Sequence, residues 1–283
     1  MSLAEIEASL CFEKIMTSEV LYYDDAFNED CKRFCRKRNI TYLPWKKDER
    51  FCFELVDDKF RKTRIAKSQK VNVREHVFQA SVLEKFEKHQ VLFVYRKSGI
   101  AGVVHFCDYN RNPVSVYGYA LLLEFEKILR KLLVSCGLNN DDMLAFFSQK
   151  RDNSSKRSEK WYYGRKVRFF QAAVNKAEMK ELEPFQMFYL RDLIDFSNFK
   201  NIYTVPDAIN DDLRNTIMHS KNVVKHRDYE TSRLIYDFSS FREFFELINL
   251  LQLALENVSK QTKLKDYDKE VKRLRQAGLF IRL

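Results

Sequence analysis

The run Leu213-Arg214-Asn215-Thr216-Ile217-Met218-His219 sets a permanent cation, an amide and an imidazole on one short stretch of chain. Arg214 offers a planar fork of donors suited to a phosphate, and His219 belongs to the side-chain type whose proton moves near neutral pH. Together they are a minimal kit for cutting a phosphodiester without a metal ion. His219 is suited to take the proton from a ribose 2′-hydroxyl or to protonate the leaving oxygen. Such help is worth about 10²- to 10⁴-fold when the pKa lies near the working pH. Arg214 would stabilise charge growing on the phosphoryl oxygens. DNA lacks the 2′-hydroxyl, so this chemistry selects RNA. On a regular helix, residues five apart lie about 140° around the axis, so Arg214 and His219 do not share a face. Asn215 and His219, four apart, do, and Arg214 reaches the same place through its long stem. The other reading makes Arg214 and His219 exposed helix residues, with His219 near a helix C-terminus beside Ser220-Lys221-Asn222.

The charge of the chain, +10 in all, is clustered. Between 150 and 168, Lys150, Arg151, Lys156, Arg157, Lys160, Arg165, Lys166 and Arg168 are set against Asp152 and Glu159 alone, a net +6. Between 259 and 283, eight cations are set against Asp266, Asp268 and Glu270, a net +5. The remainder is therefore close to neutral. Clustered positive charge is the electrostatic footprint for a polyanion. Lys156, Arg157, Lys160 and Arg165 are the candidate phosphate contacts, with Trp161, Tyr162 and Tyr163 placed to stack bases. The alternative is a solvated loop and a frayed tail.

Other classes of chemistry find less support. At 283 residues the length favours two domains, each able to bury a core. No uncharged apolar run approaches the ~18 residues of a membrane span, and residues 1–20 lack a secretory pattern. Six cysteines fall at no zinc-type spacing, and Cys31 and Cys35 are expected to pack as small apolar groups. Reduced thiols without an export signal point to the cytoplasm. No metal cluster, Gly-rich phosphate loop or Ser-His-Asp set is legible, so the expected metal and cofactor requirement is none. His76, His89 and His226 lack a comparable partner and are expected on the surface.

The elements that would position the motif fall into two styles. The N-terminal part repeats itself at a shift of 51 residues. That shift sets Glu19-Val20-Leu21 on Lys70-Val71-Asn72, Leu43 on Val94, and the block 51–57 on 102–108. Each copy reads as strand, helix, strand, hairpin, strand, then an acidic residue (Asp57, Asp108) opening another helix. Val91-Leu92-Phe93-Val94-Tyr95 and Gly102-Val103-Val104 are apolar strands, and Ser98-Gly99 between them suits a tight turn. A repeat of this size favours two units burying apolar faces against each other. The pattern Ile15-Met16-Thr17, then Gly102-Val103-Val104-His105-x-x-Asp108, resembles a tandem pair of CBS repeats over 6–112. In that family a Gly-x-x-Thr-x-x-Asp segment holds the phosphate and ribose of adenine nucleotides. The resemblance thus implies Asp108 as a ribose ligand and an adenine nucleotide as regulatory ligand. His105 stands where Thr is expected, and in the first copy Phe51 and Glu54 replace the Gly and the Thr. A dimerising scaffold without a ligand is the other reading.

After Pro113 the periodicity becomes helical. Leu121, Leu122, Phe125, Ile128, Leu129, Leu132 and Leu133 form one stripe, and Gly137 ends it. Asn139 or Asn140 caps a short helix through Phe147, and Pro184 opens a helix bearing Phe185, Phe188 and Leu193. A third long helix begins near Asp207, and a fourth carries Phe238, Phe241, Phe244, Phe245 and Ile248. Four striped helices describe a bundle. A bundle whose third helix carries Arg-Asn-x-x-x-His resembles the HEPN family over about 117–258, with 259–283 as a basic tail. The expected fold class is thus an α+β tandem CBS-like module followed by an all-α HEPN-like bundle. The resemblance implies a metal-independent endoribonuclease with Arg214, Asn215 and His219 catalytic, a sensor joined to an effector, in stress or phage defence. It implies RNA as partner, a homodimer, and an antitoxin or nucleotide effector as further partner classes. The competing reading is a non-catalytic RNA-binding or nucleotide-sensing protein on the same scaffold.

Overall fold

The structure, a computed structural model, describes residues 5–277 apart from 7, 9, 39, 175–182, 219–221 and 229–233. The class is mixed α+β, with two small three-stranded sheets followed by a mainly helical C-terminal region. Short helix α1 (Phe12–Ile15) and helix α2 (Asn28–Arg38) precede β1 (Tyr42–Pro44), β2 (Phe51–Val56) and β3 (Lys59–Arg64), which pair antiparallel in that order. Next come β4 (Lys70–Asn72), α3 (Ala80–Lys88), β5 (Val91–Arg96) and β6 (Gly99–His105). Here β4 runs parallel to β5 across the helical connection, and β5 and β6 form the expected hairpin.

The first copy departs from the expected order at two places. Glu19-Val20-Leu21 builds no strand, and only isolated bridges flank it, Thr17 to Val103 and Tyr23 to Trp45. The Asp24 carboxylate accepts the Ala26 N–H at 3.1 Å and turns the chain into a tight 3-10 turn before a ladder can form. Asp57 does not open a helix. With Asp58 it takes left-handed φ values of 48° and 64°, and the pair forms the two-residue loop between β2 and β3. Both central residues of such a hairpin turn need positive φ, which Asp tolerates better than most side chains.

The two sheets share a core of Cys52, Ile65 and Phe93, joined by Tyr42, Tyr95 and Val103. Glu49, in the loop before β2, reaches the second hairpin, where its carboxylate accepts from Tyr22 (3.0 Å) and from the Ile100 N–H (2.9 Å). Gly99 has φ +127°, and a Cβ there would run into the Glu49 carboxylate, so both backbone and space require glycine.

The C-terminal region comprises α4 (Asn112–Ser135), α5 (Asn140–Asn153), α6 (Arg157–Val174), α7 (Leu190–Phe199), a helical stretch over 207–218, and α9 (Phe238–Gln276). The stretch over 207–218 ends in α8 (Arg214–Met218). Gly137, at φ +80°, follows α4 as the stripe requires. Asn139 caps α5 through the Asp141 and Asp142 N–H groups, and Asp142 accepts in return from Asn139.

The helical region departs from expectation at two places. The region is not all-α, because β7 (His226–Asp228) and β8 (Leu234–Tyr236) pair antiparallel before α9. Residues 226–228 and 234–236 carry no helical apolar period, and their backbone groups find partners across the two-stranded ladder instead. The helix expected from Asp207 is helical over 207–218, the limit of the described residues there, and is interrupted by a π turn at Ile209–Leu213. Pro184 opens a turn, and α7 starts only at Leu190, because buried Phe185 sits at φ 64°. That strained turn is held by Asn140 Oδ1, which accepts the Phe185 N–H at 2.8 Å, and by Arg130, which donates to the Phe185 and Phe188 carbonyls. Residues 259–276 of the basic tail continue α9.

The chain divides into two compact units. One comprises Met1–Ala120 with Thr216–Asn249, and the other Leu121–Asn215 with Leu250–Leu283. The start of α9 therefore groups with the sheets. The reason is aromatic. Tyr109, fully buried with its hydroxyl donating to the Val77 carbonyl (2.6 Å), packs edge-on against Phe241 at 4.8 Å, and Phe78 meets Phe245 at 5.2 Å. The second unit has its own aromatic core, with Phe170 on Phe188 at 4.4 Å and Phe146 on Phe196 at 5.5 Å.

Candidate functional site

The helix that carries Arg214 is irregular immediately before it. Ile209–Leu213 is a π turn, closed by the Arg214 N–H donating to the Ile209 carbonyl five residues back. Such turns are uncommon and frequently lie at functional sites. Ile209, Leu213 and Ile217 are buried along one side, leaving Arg214 and Asn215 half-buried on the others. Ile217 lies against Gly118 of α4, where a Cβ would come within 2.6 Å of its Cδ1. Gly118 thus provides the close approach that seats this helix.

Two asparagines bracket the same stretch. At the entry Asn198 Oδ1 accepts the Val205 N–H at 2.8 Å, and its Nδ2 donates to the Val205 carbonyl at 3.2 Å. Beyond the exit Asn110 does the same for Val224, at 2.7 and 2.9 Å. Each side chain replaces a strand partner for one isolated residue, satisfying backbone groups that no ladder reaches.

Within the motif, Asn215 Nδ2 donates to the Asp211 carbonyl at 2.6 Å, and its Oδ1 lies 3.5 Å from an Arg214 guanidinium nitrogen. Asn215 is therefore tethered and turned toward Arg214. Among the described residues Arg214 pairs with no carboxylate, although Asp211 and Asp212 are close in sequence. Other arginines are committed: Arg130 is paired with Glu126, and Arg111 with Asp108. His219 lies outside the described residues.

The second candidate pair, His105 and Asp108, is brought together as the cap of its own 3-10 turn, Phe106–Asn110. His105 Nδ1 accepts the Cys107 N–H at 3.1 Å, and Asp108 Oδ2 accepts the His105 N–H at 2.8 Å. Burial alone holds His105 down to about 4, so the ring is neutral with its proton on Nε2. Asp108 is pushed up by burial, against the pull of the His105 N–H and Arg111. Its other oxygen pairs with Arg111 at 2.8 Å, and Arg111 goes on to the Met16 carbonyl and Thr17 hydroxyl. Arg111 carried no signal in the sequence that marked it as the partner of Asp108.

Helix α6 carries three of the basic candidates, and Lys156 immediately precedes it. Lys156, Arg157, Lys160 and Arg165 are all exposed, with Lys156 3.5 Å from Glu159. Arg157, Trp161 and Arg165 recur every four residues, and Arg168 and Phe169, three and four further on, extend the same open side. Trp161 is 59% exposed and Phe169 62%, and the Arg165 guanidinium lies 5.1 Å from the Trp161 ring centre. The other expected stackers are spoken for. Tyr163 packs on Phe147 (6.1 Å), and burial raises its hydroxyl to about 12, while Tyr162 is half-buried. Lys166 is spent in a buried pair with Asp192 and is no phosphate contact. Phe169 was missed in the sequence, although its spacing of eight from Trp161 places both on one helical face.

Two further histidines are not the bare surface residues expected. His76 packs 5.3 Å from the Tyr117 ring, and His89 bonds to the Ser68 hydroxyl at 2.8 Å. Among the described residues no three His, Cys, Asp or Glu side chains group as a metal site, and no helix is long and apolar enough to cross a membrane. Comparison of the chain with protein-family models, curated proteins and solved structures gives no match.

Proposed function

We propose that this protein is a metal-independent endoribonuclease of the HEPN-like kind, in which Arg214 binds the scissile phosphate and His219 moves the proton. The observation that carries the reading is the half-buried Arg214 guanidinium, which has no carboxylate partner among the described residues and is steadied by a tethered amide. A structural arginine so placed would be expected to pair with Asp211 or Asp212. One without a carboxylate partner among the described residues, on a seated helix, is suited to an oxyanion. Asn215 then acts as a positioning residue for Arg214.

In the proposed step a base takes the 2′-hydroxyl proton and the 2′-oxygen attacks phosphorus. The bond to the 5′-oxygen breaks, and an acid returns a proton to it. The products are a 2′,3′-cyclic phosphate and a 5′-hydroxyl. A second copy of the motif would supply the second imidazole that this base and acid pair requires. The open face of α6 would hold the strand, its arginines on phosphates and Trp161 and Phe169 on bases.

The same face also favours the second reading, RNA binding without cleavage. Incubation with total RNA in excess EDTA separates the two. Cleavage that disappears in Arg214→Ala and His219→Ala supports the nuclease. Retention of intact RNA by the wild-type chain supports the binding protein. For the CBS-like module the scaffold reading fits best, since Asp108 is already engaged by Arg111 and its own turn.

A further inference from the structure

The outer face of the C-terminal half of α9 exposes Leu264 and Tyr267, with Val271 and Leu274 half-buried beyond them, and its pattern names an occupant. On the inner side Leu251, Leu255, Val258 and Thr262 are buried. That side continues into Asp266 and Lys269, which bond to the Ser135 hydroxyl (2.5 Å) and the Val134 carbonyl (3.2 Å) at the end of α4. The opposite side carries Leu264, Tyr267, Val271 and Leu274, spaced three, four and three apart. Leu264 is 63% and Tyr267 64% exposed. A 3-4-3 apolar spacing is the a/d seam of a coiled coil, and β-branched Val271 at a with Leu274 at d favours two strands.

The charges flanking this seam complement themselves. With Leu264 at a, the g positions are Lys263 and Glu270, and the e positions are Asp268 and Arg275. In a parallel pair each g faces the e of the next heptad on the partner, which sets Lys263 against Asp268 and Glu270 against Arg275. Both pairings are attractive. An antiparallel pair keeping the same apolar layers sets Asp268 beside its own copy and Glu270 beside its own copy, which repel. Among the described residues none of these four side chains has an ion-pair partner within the chain.

We propose that α9 forms a parallel two-stranded coiled coil with a second copy of this chain through residues 263–275. A seam of this length is too short to order itself in water. Here the helix is already formed as part of a 39-residue element held on its inner side, so little ordering remains to oppose association. The proposal does not rest on ribonuclease activity.

The test is sedimentation equilibrium on the full-length chain. The wild type is expected to dimerise, and Val271→Asp with Leu274→Asp to give a monomer with unchanged far-UV circular dichroism. Glu270→Arg and Arg275→Glu each turn two attractions into two repulsions and should weaken the dimer roughly tenfold. Mixing these two single variants should restore wild-type affinity, because each supplies the charge the other lacks. A wild-type chain that stays monomeric at its highest soluble concentration overturns the proposal. So does a dimer indifferent to Val271→Asp with Leu274→Asp, or a pair of charge variants whose mixture is no tighter than either alone.

Discussion

Lowering the pH from 7 to 4 should destabilise this protein through His105, and the size of the effect can be worked out in advance. In the unfolded chain the ring titrates near 6.5, and in the folded protein burial holds it at about 4. The folded state therefore binds fewer protons than the unfolded state throughout that window. Stability contributed by the neutral ring is complete above pH 6.5 and is lost as pH falls toward 4. At ~1.4 kcal/mol per unit, the loss reaches at most about 3 kcal/mol. His76 shifts in the same direction through burial and adds to the slope. Asp108, shifted up by burial, opposes it as the pH falls. His105→Asn is the informative variant, because its Oδ1 can accept the Cys107 N–H in place of Nδ1 while nothing titrates. Urea unfolding from pH 4 to 8 is the assay. The variant should be less stable at pH 7, from lost contact with Phe106 (4.2 Å), yet show a shallower fall between pH 6.5 and 4. A slope identical to wild type would refute the reasoning.

Three other outcomes are expected. Gly118→Val should cost about 1–3 kcal/mol by overpacking against Ile217, whereas Gly118→Ala and Ile217→Val should offset each other by more than about 0.5 kcal/mol in a double-mutant cycle of thermal unfolding. Trp161→Ala should weaken single-stranded RNA binding by about 1–3 kcal/mol in fluorescence titration with little change in salt dependence, while Arg165→Ala should flatten that dependence by about one counterion. Asp108→Ala should lower stability by about 1–3 kcal/mol, because it leaves the His105 N–H without its acceptor and removes the carboxylate paired with Arg111. Calorimetry of the wild type with AMP, ADP or ATP should give no heat, and measurable binding lost in Asp108→Ala would reverse that assignment.

Local features were legible in the sequence. The β5–β6 hairpin around Ser98-Gly99, the apolar stripe of α4, its end at Gly137 and the Asn139 cap are each written in residues a few positions apart. Where nearby residues permit two answers, residues further along the chain decide. Asp57 can cap a helix or sit at positive φ in a hairpin, and the strand Lys59–Arg64 that follows decides for the hairpin. Phe185 at φ 64° is dictated by contacts with Asn140 and Arg130, 45 and 55 residues away. The π turn before Arg214 has no compositional signature, since it answers to burial of Ile209, Leu213 and Ile217. The Asn110 clamp joins positions 114 residues apart and is invisible to any periodicity. Of the candidate site, residue types were readable, but Arg214's freedom from Asp211 and Asp212 was not.

The central claim is that cleavage uses the ribose 2′-hydroxyl, with Arg214 on the phosphate and His219 on the proton. The most direct measurement offers the chain one oligonucleotide sequence as RNA, as 2′-O-methyl RNA and as DNA, in EDTA, and reads product ends by mass spectrometry. The account predicts cleavage of the RNA alone, leaving a 2′,3′-cyclic phosphate and a 5′-hydroxyl. It predicts a loss of about 100-fold or more in His219→Ala. Cleavage of the DNA or the 2′-O-methyl strand, products carrying a 5′-phosphate, or an RNA that survives the wild-type chain would contradict it.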